Sequence, residues 1–433
     1  MSGGGTSGTE ERLVPAADAA PERPLSILVL TDIFFPDTPG GANRMVYYVS
    51  RGLAEAGHRV RVLTHRVRPD LPAQERMGRL EVRRYDLALS PGSDSLWRGF
   101  RAIWAVRRAC DELAREAPAD VVSVQQPLPG FAALFSRGFK GVPFSYAFHS
   151  PWHEEYAIRV LPSRSPFLRW VGWHRLNRRA RRLLECWTLR RCRNVIVLSE
   201  FSRGLIERIH RYPAGRILLI SGGVDERRYA PAEDRMEIRK RIGLPLDRTL
   251  LLTVRNLRRR MGIGRLIDAM SRVAREIPSV LLLVGGRGPL KEDLERRAHR
   301  LGLCAHVWFT GYLEEDDLPA YYSAADFFIL PTEALEGFGM ATLEALACGT
   351  PVLGTPVGAT PEILRPLDES LLFADASPEA MADAIVRHVR HFLADPSGYR
   401  PSREACARYV RGRFSWSRLV TQWSAALRAA AKD

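Results

Sequence analysis

The feature that most constrains this chain is a repeated local pattern, in which a short apolar run, a loop and an amphipathic helix follow one another. Residues 26–32 form an apolar run of strand length, a helical pattern covers residues 44–56, and a second run lies at residues 60–64. A strand, a helix and a strand in this order form a βαβ unit, whose strands pair in parallel through a right-handed crossover. Further runs extend the same predicted sheet at residues 121–124, 144–148 and 195–199.

The same pattern starts again at residues 249–254, and the later runs of strand length lie at residues 280–284, 307–310, 327–330 and 351–354. At 433 residues the chain is too long for one hydrophobic core, because single cores stop growing near about 250 to 300 residues. The sequence therefore predicts an α/β protein with two Rossmann-like domains. The predicted divisions are a disordered tail at residues 1–24, a first domain at 25–213, a second domain at 214–395 and a helical segment at 396–433.

Cysteine content and hydropathy limit the compartment. The six cysteines are scattered and include no C-x-x-C pair, which favours a reducing environment over a disulfide framework. The apolar runs have strand length and fall short of the ~20 residues that span a bilayer. We therefore expect a cytoplasmic protein without a membrane-spanning segment.

The formal net charge of +15 invites a polyanionic partner such as nucleic acid, anionic lipid or a phosphorylated substrate. Nearly all of the positive charge is arginine, which a GC-rich genome also favours. Because no helix-turn-helix, zinc-finger or RNP-type signature accompanies the charge, nucleic acid is not expected as a partner. Three explanations of the net charge remain open: an anionic lipid partner, a phosphorylated substrate, or amino-acid composition without a functional role.

The most informative segment covers residues 330–353. Gly337 and Gly339 lie in a loop that lets the backbone approach a ligand, and a helix follows from about Met340. The free N–H groups and the dipole of that helix favour a phosphate at its N-terminus. Glu344 lies inside the apolar stretch MATLEALA, so its carboxylate needs a partner, which is a ribose diol, an arginine or solvent.

Glu336 precedes Glu344 by eight residues. Three short sequence motifs occur in this region, in the order E-G-F-G at residues 336–339, G-T-P-V at 349–352 and G-A-T-P-E at 358–362. This arrangement resembles the E-x7-E motif of retaining glycosyltransferases of the B-type fold, in particular glycosyltransferase family 4. The resemblance extends from Ile27 to the end of the chain. It implies two Rossmann-like domains that face each other across a cleft, with a C-terminal helix packing back on the first domain.

The resemblance also implies roles for residues of the motif. Glu336 would orient the donor sugar or stabilise the cationic transition state, whereas Glu344 would bind the ribose of the nucleotide. The residues between them that would bind the donor are Gly337, Phe338, Gly339 and Met340.

Two loops of the first domain match the family as well. Gly40 and Gly41 resemble its Gly-Gly loop, whose N–H groups approach the diphosphate or the sugar, although a plain structural turn has the same composition. Asn43 stands where many relatives carry an acidic residue, which leaves the acceptor contacts of this loop open. His149 ends a predicted strand and would contact the donor sugar, or else occupy a core or capping position.

In the second domain, Arg255 and Arg260 resemble a basic pair that neutralises the donor diphosphate, and arginine can bind phosphate oxygens bidentately. Gly286 lies in a loop that is near the nucleotide base in relatives, and this loop lacks the third glycine of a dinucleotide fingerprint. Glu362 resembles a glutamate that approaches the ribose or phosphate, but glutamate is common at helix N-termini. The neighbouring arginines expected in solvent are Arg258 and Arg259.

These features predict a retaining, metal-independent glycosyltransferase that moves a sugar from a nucleotide-diphosphate sugar to an acceptor hydroxyl. A UDP-sugar is expected in preference to a GDP-sugar, with no further cofactor. The acceptor would be a small or lipid-linked molecule in glycoconjugate, cell-envelope or natural-product biosynthesis. A metal is not expected, because no D-x-D pair follows a strand and Pro151 prevents one regular helix through His149 and His153. The alternatives are a nucleotide-sugar epimerase, a dehydrogenase and a nucleic-acid-binding protein.

Residues 161–193 form a strongly basic segment in which ten arginines accompany one acid, Glu185. Large apolar residues recur within it at helical spacing, which indicates an amphipathic helix. Such a helix either covers the core of the first domain with its arginines in solvent or lies on an anionic membrane at its inner face.

Overall fold

The computed structural model describes residues 23–38, 40–87, 96–160 and 168–432. The predicted tail at residues 1–24 lies almost wholly outside these ranges, as does the beginning of the basic segment. Within the described residues, no helix combines the length and the apolar character needed to cross a membrane.

Thirteen strands are present in the described part of the chain, and they form two sheets. The first sheet contains β1 (Ser26–Leu30), β2 (Arg59–His65), β3 (Gln74–Met77), β4 (Leu80–Tyr85), β5 (Val121–Val124), β6 (Phe144–Phe148), β7 (Asn194–Val197) and β8 (Ile217–Leu219). The second sheet contains β9 (Thr249–Val254), β10 (Val280–Gly285), β11 (Val307–Gly311), β12 (Phe327–Leu330) and β13 (Val352–Gly354).

The helices of the described ranges lie between these strands and after them. They are α1 (Gly41–Glu55), α2 (Leu96–Glu116), α3 (Pro127–Ala133), α4 (Trp152–Val160), α5 (Leu168–Arg191), α6 (Glu200–Leu205), α7 (Arg235–Arg241), α8 (Ile263–Glu276), α9 (Lys291–Arg300), α10 (Leu318–Ala324), α11 (Met340–Ala347), α12 (Thr360–Leu364), α13 (Pro378–Ala394), α14 (Arg403–Arg413) and α15 (Trp416–Lys432).

The first sheet has the strand order β3-β4-β2-β1-β5-β6-β7-β8, and all of its pairs are parallel except β3 with β4. The central strand β1 is buried on both faces. Ile27 and Val29 belong to one hydrophobic cluster, and Leu28 and Leu30 belong to the other. Strands that helices cover on both faces read as continuous apolar runs, which is why the sequence pattern predicted them.

The second sheet has the order β11-β10-β9-β12-β13 and is parallel throughout. The chain moves outward from β9 to β11 and then returns to β12 on the other side of β9. A crevice forms at such a reversal, at the carboxyl ends of the strands, and ligands bind there in open α/β sheets. Two parallel sheets flanked by helices confirm the predicted two-domain α/β fold.

The strand β8 lies beyond the predicted domain boundary between residues 213 and 214. It pairs with β7 through residues Ile217, Leu218 and Leu219, so it is the last strand of the first sheet. The predicted division assigned it to the second domain, because a strand followed by the turn at residues 221–225 resembles the start of a new unit. Hydrogen bonding between strands, which local sequence does not reveal, decides its place.

The C-terminal helices divide between the two halves of the molecule. Helix α14 packs against α11 of the second domain, whereas α15 packs against α1, β5, β6 and β7 of the first. Trp423 on α15 is only 1% exposed, and Val420 lies so close to Gly52 that a side chain on this glycine would collide with it. The expected return of a C-terminal helix to the first domain is therefore confirmed, and α15 is the helix that makes these contacts.

The basic segment contains α5, and only one face of this helix is buried. Glu185, Thr188 and Leu189 are fully buried. By contrast, Leu176 is 57% exposed and Leu183 is 70% exposed. The alternative in which the apolar stripe covers the core therefore fails for these two leucines.

Candidate active site

A cleft lies between the two halves, where loops that follow strands of both sheets converge. The first domain contributes the loop between β1 and α1 and the residues after β6. The second contributes the loops after β9, β10 and β12. The predicted site residues that line the cleft are Gly40, Gly41, His149, Arg255, Arg260, Gly286, Glu336, Gly337, Phe338, Gly339 and Met340.

The wall of the second domain is formed by the end of β12 and the start of α11. Gly339 precedes the helix with a φ of 91°, a left-handed conformation that favours glycine. No side chain caps this end of α11. The first N–H groups of the helix therefore remain available to a ligand at the cleft, as expected of an anion site.

Glu336 is an acid of the cleft with two partners in its own domain. Arg255 donates a hydrogen bond to its Oε2, and the hydroxyl of Thr332 donates to the same oxygen at 2.7 Å. Burial raises the pKa of Glu336, but the charge of Arg255 and these hydrogen bonds outweigh it and hold the pKa below its usual value. The side chain is therefore an anion at neutral pH and faces the cleft.

The two predicted phosphate ligands lie side by side near Glu336. Arg260 donates to the carbonyl oxygen of Leu335 at 2.9 Å, and its guanidinium lies 3.7 Å from the carboxylate of Glu155 on the first domain. Burial lowers the pKa of Arg260, and the charges of Glu155 and Glu336 oppose that change. The arginines expected in solvent are indeed exposed: Arg258 and Arg259.

His149 enters the cleft from the end of β6. Its Nε2 lies 3.1 Å from Oε1 of Gln125, and the amide of Gln125 is oriented by donating to Ser123. Because Oε1 only accepts, Nε2 must carry the proton, which leaves the Nδ1 lone pair free. Burial lowers the pKa of His149 to about 4, so the ring is neutral at physiological pH. A neutral histidine can donate or accept a hydrogen bond but adds no charge.

The loop at Gly337 is one of the places where the second domain touches the first. A Cβ atom at Gly337 would lie 2.7 Å from the carbonyl oxygen of His149, closer than real Cβ contacts allow. The carbonyl of Gly337 accepts from the hydroxyl of Ser199 at 2.7 Å. Phe338 lines the cleft but packs edge-on against Phe414, at 6.0 Å between ring centroids. Gly337 is therefore required for the approach of the two domains.

Glu344 does not line the cleft in this structure, because its carboxylate is already bound. Arg44 of α1 donates to its Oε1 at 2.6 Å, and the hydroxyl of Tyr322 donates to its Oε2 at 2.9 Å. Burial raises the pKa of Glu344, and Arg44 opposes that rise. Of the partners considered for this glutamate, arginine is the one that the structure provides.

Arg44 was not predicted as a site residue, although its side chain in the first domain bonds to residues of the second. Besides Glu344 it pairs with Glu315 at 2.9 Å and donates to the hydroxyl of Tyr229 at 2.9 Å. A usable signal did exist, because Arg44 follows the Gly-Gly loop by three residues and therefore lies in the first turn of α1, beside the cleft.

Asn43, the departure from the family pattern, turns away from the cleft. Its side chain is 4% exposed and donates to the carbonyl oxygen of Thr38 at 3.1 Å. Helix α1 begins at Gly41, and no side chain caps its N-terminus at Gly40. Asn43 therefore fixes the segment before the Gly-Gly loop, and the N–H groups of the loop stay open.

Glu362 lies outside the residues that line the cleft. Its carboxylate accepts from the backbone N–H groups of Glu200 at 2.8 Å and Phe201 at 2.7 Å, so it caps helix α6 of the first domain. The resemblance placed this glutamate near the ribose or phosphate. In the structure it joins the two domains through a helix N-terminus, a common position for an acidic side chain.

Two family models match the chain. One is described as Glycosyltransferase Family 4 and matches residues 39–228, and the other is described as Glycosyl transferases group 1 and matches residues 234–413. The D-inositol 3-phosphate glycosyltransferase of Geodermatophilus obscurus is 30% identical over 410 residues, which cover 91% of this chain and 86% of that protein.

A second relative matches over a shorter length. The GDP-mannose-dependent alpha-(1-6)-phosphatidylinositol monomannoside mannosyltransferase of Mycolicibacterium smegmatis is 36% identical over 219 residues, or 49% of this chain and 54% of that relative. This match therefore spans only about half of each protein. Among solved structures, sucrose-phosphate synthase from Thermosynechococcus elongatus has a TM-score of 0.77 at 24% identity, covering 93% of this chain and 98% of that one. The likeness to that structure shows a shared fold.

Proposed function

The chain belongs to the family 4 glycosyltransferases, and from this premise we propose that it transfers a sugar from a nucleotide-diphosphate sugar to an acceptor hydroxyl with retention of configuration. The observation that supports this most directly is the grouping of Arg255, Arg260, Glu336 and the uncapped end of α11 around one cleft. This grouping suits a donor whose leaving group gains negative charge while its sugar gains positive charge.

The proposed chemistry is electrostatic. Breaking the bond between the anomeric carbon and the phosphate leaves negative charge on the diphosphate, and Arg255 and Arg260 would stabilise it. Removal of one such preorganised donor typically costs about 3 to 4 kcal/mol of transition-state stabilisation. Glu336, held as an anion, would orient the sugar or stabilise its cationic transition state, and neutral His149 would contact the sugar without opposing that charge.

Glu344 would bind the donor ribose only by exchanging one partner for another. Its two oxygens are occupied by Arg44 and Tyr322, and ribose hydroxyls would replace the hydrogen bond from Arg44. Arg44 would keep its contact with Glu315, so the exchange leaves no buried charge unpaired. Donor binding is then coupled to a contact between the domains.

The donor base and sugar are tested by thermal stabilisation, because a ligand that binds only the folded protein raises its melting temperature by mass action. UDP-, GDP- and dTDP-sugars are compared at one concentration, with the free sugars as controls. We expect the largest shift with a UDP-sugar. The mannosyltransferase relative is named for GDP-mannose, so a larger shift with GDP-mannose would overturn the expected base. Absence of a shift with every nucleotide sugar would contradict the proposed function itself.

Two alternatives, an epimerase and a nucleic-acid-binding protein, are distinguished from a glycosyltransferase by turnover and by the salt dependence of binding, respectively. A glycosyltransferase releases nucleoside diphosphate in proportion to acceptor, whereas an epimerase converts the donor without an acceptor. A nucleic-acid-binding protein would owe its affinity to charge and lose it steeply with salt. Family membership favours neither alternative.

For the acceptor, we propose a lipid-linked molecule at an anionic membrane. The supporting observation is the exposed face of α5, where Leu176 and Leu183 are exposed to solvent and Trp173 is 37% exposed. Nearby, Phe135 is 47% exposed and stacks on Trp187 of α5 at 5.6 Å. An apolar stripe flanked by arginines is typical of helices that lie in a membrane interface. The exposed arginines on the helix include Arg175, Arg178, Arg179 and Arg182.

Vesicle co-sedimentation tests this surface. Each arginine near an anionic surface contributes about 1 kcal/mol, so the protein should pellet with anionic vesicles at low salt and remain in solution with neutral ones. Exchanging both Leu176 and Leu183 for Glu should abolish pelleting, whereas Leu393→Glu, at a leucine of the second domain that is 49% exposed, should not. A protein that stays in solution with both vesicle types has a soluble small-molecule acceptor instead.

A further inference from the structure

Three metal-ligating side chains meet inside the first domain, apart from the cleft. His153 comes from α4, Glu185 from α5 and His210 from the turn after α6. The side chains of Glu185 and His210 are at most 1% exposed, and that of His153 is 5% exposed. One ligand atom from each residue lies within 4.8 Å of the others. None of the three lines the donor cleft.

Hydrogen bonding leaves this cluster incomplete. Nδ1 of His153 and both ring nitrogens of His210 are buried without a hydrogen-bond partner. Nε2 of His210 does lie 3.3 Å from Oε2 of Glu185, but the orientation is unsuitable for a hydrogen bond. A buried polar group without a partner costs about 1 to 3 kcal/mol. Two of these nitrogens, Nδ1 of His153 and Nε2 of His210, lie within 3.7 Å of Oε2 of Glu185, where a bound ion would be their partner.

The separations fit a metal ion. Zn²⁺ binds histidine nitrogen and carboxylate oxygen at about 2.0 to 2.2 Å, which places neighbouring ligands of a tetrahedron about 3.3 to 3.5 Å apart. Oε2 of Glu185 lies 3.3 Å from Nε2 of His210 and 3.7 Å from Nδ1 of His153. We propose that His153, Glu185 and His210 bind Zn²⁺ through these three atoms.

The surroundings of Glu185 support this assignment. The backbone N–H of Trp152 donates to Oε2 of Glu185 at 3.3 Å, and the hydroxyl of Tyr146 also bonds to this carboxylate. Groups of this kind orient the carboxylate in metal sites. No metal was expected from His149 and His153, because Pro151 lies between them, whereas the partners of His153 in this cluster come from distant parts of the chain.

The site would hold together the wall of the cleft that the first domain provides. His153 lies two residues before Glu155 on α4, and the carboxylate of Glu155 faces Arg260 across the cleft at 3.7 Å. Glu185 anchors the helix α5 that carries the exposed apolar stripe. With three protein ligands the zinc would take its fourth ligand from solvent. The proposal requires no part for it in sugar transfer.

Metal content of the full-length protein tests the site. The measurement is made by elemental mass spectrometry on protein with Cys304→Ser, because the exposed thiol of Cys304 could bind zinc by itself. We expect about one zinc per chain. The variants Glu185→Gln and His210→Asn should retain less than about a tenth of it, and His299→Asn, at an exposed histidine outside the cluster, should retain all of it.

A second measurement needs no substitution in the cluster, and it decides the matter if those variants fail to fold. Metal-free protein is titrated with Zn²⁺ while its melting temperature is recorded, and with Co²⁺ while the visible absorption of tetrahedral cobalt is recorded. We expect a rise in melting temperature and cobalt bands at one equivalent. If the protein contains no zinc and neither response occurs, the cluster binds no metal and the proposal is wrong.

Discussion

At the scale of single residues, the two glutamates of the motif differ in their ion-pair partners. Glu336 is paired with Arg255 within its own domain, whereas Glu344 is paired with Arg44 from the other domain. Both carboxylates are buried, but their pKa values move in opposite directions, downward for Glu336 and upward for Glu344. Two glutamates of one motif therefore have different environments, and different effects of substitution should follow.

The first prediction concerns this pair. Glu336→Gln should lower turnover on the order of 100-fold while donor affinity stays near normal, because the lost charge acts in the transition state. Glu344→Gln should chiefly weaken nucleotide binding, by about 10-fold or more, because hydrogen bonds to a charged group contribute about 1.5 to 3 kcal/mol. Donor titration and steady-state kinetics measure the two effects. Finding them reversed would overturn the roles proposed for the two glutamates.

The second prediction concerns Arg44. Arg44→Met should lower the melting temperature of the free protein, because Glu344 loses its buried counter-charge. The rise in melting temperature caused by the nucleotide should become larger than in the wild type, because the ribose no longer competes with Arg44. Loss of that rise would instead mean that Arg44 itself binds the donor. Arg51→Met, about two turns further along the same helix and more exposed, serves as the control.

The third prediction concerns His149 and pH. Its pKa of about 4 in the folded protein lies below the ordinary 6.5, so between these values the unfolded chain binds a proton that the folded protein does not. This histidine should therefore reduce the free energy of unfolding as pH falls from 6.5 to 4, by up to about 3 kcal/mol. Urea unfolding of wild type and His149→Asn checks this. An identical loss in both proteins would refute the assignment.

At the scale of elements, the cleft depends on how closely the loop after β12 approaches the end of β6. Gly337→Ala should displace this loop, because the new Cβ would lie 2.7 Å from the carbonyl oxygen of His149. A displacement near 1 Å can lower turnover by about 100-fold. Gly412→Ala in α14, where a Cβ meets nothing within 4 Å, is the matched control and should leave turnover unchanged. Equal turnover in both variants would show that the approach is not required.

At the scale of the whole molecule, α15 and the contacts of Arg44 and Glu362 join two sheets that each have their own core. We predict that sugar transfer across this assembly needs no dissociable divalent metal, because Arg255, Arg260 and the start of α11 are available for the diphosphate. Turnover should persist in EDTA and should not rise with Mg²⁺ or Mn²⁺. Loss in EDTA that Mg²⁺ or Mn²⁺ restores would contradict this, whereas the proposed buried site would respond to zinc.

The sequence by itself determined the two-domain fold and most of the cleft, because both depend on local patterns. Buried parallel strands appear as short apolar runs, and parallel strands bring their carboxyl ends to one edge, so residues after those runs converge. This is why eleven of the predicted residues, including His149 and Glu336, line one cleft.

Only the tertiary structure decided which groups pair across the domains and which distant residues meet within one domain. The contacts Arg44 to Glu344, Glu362 to α6 and His153 to His210 join residues far apart in the chain, and no local pattern marks them. It also decided that Leu176 and Leu183 are exposed, since a helical stripe records which residues share a face and not whether another element covers it. Spacing determines neighbours along an element, whereas pairing between elements depends on how whole elements pack.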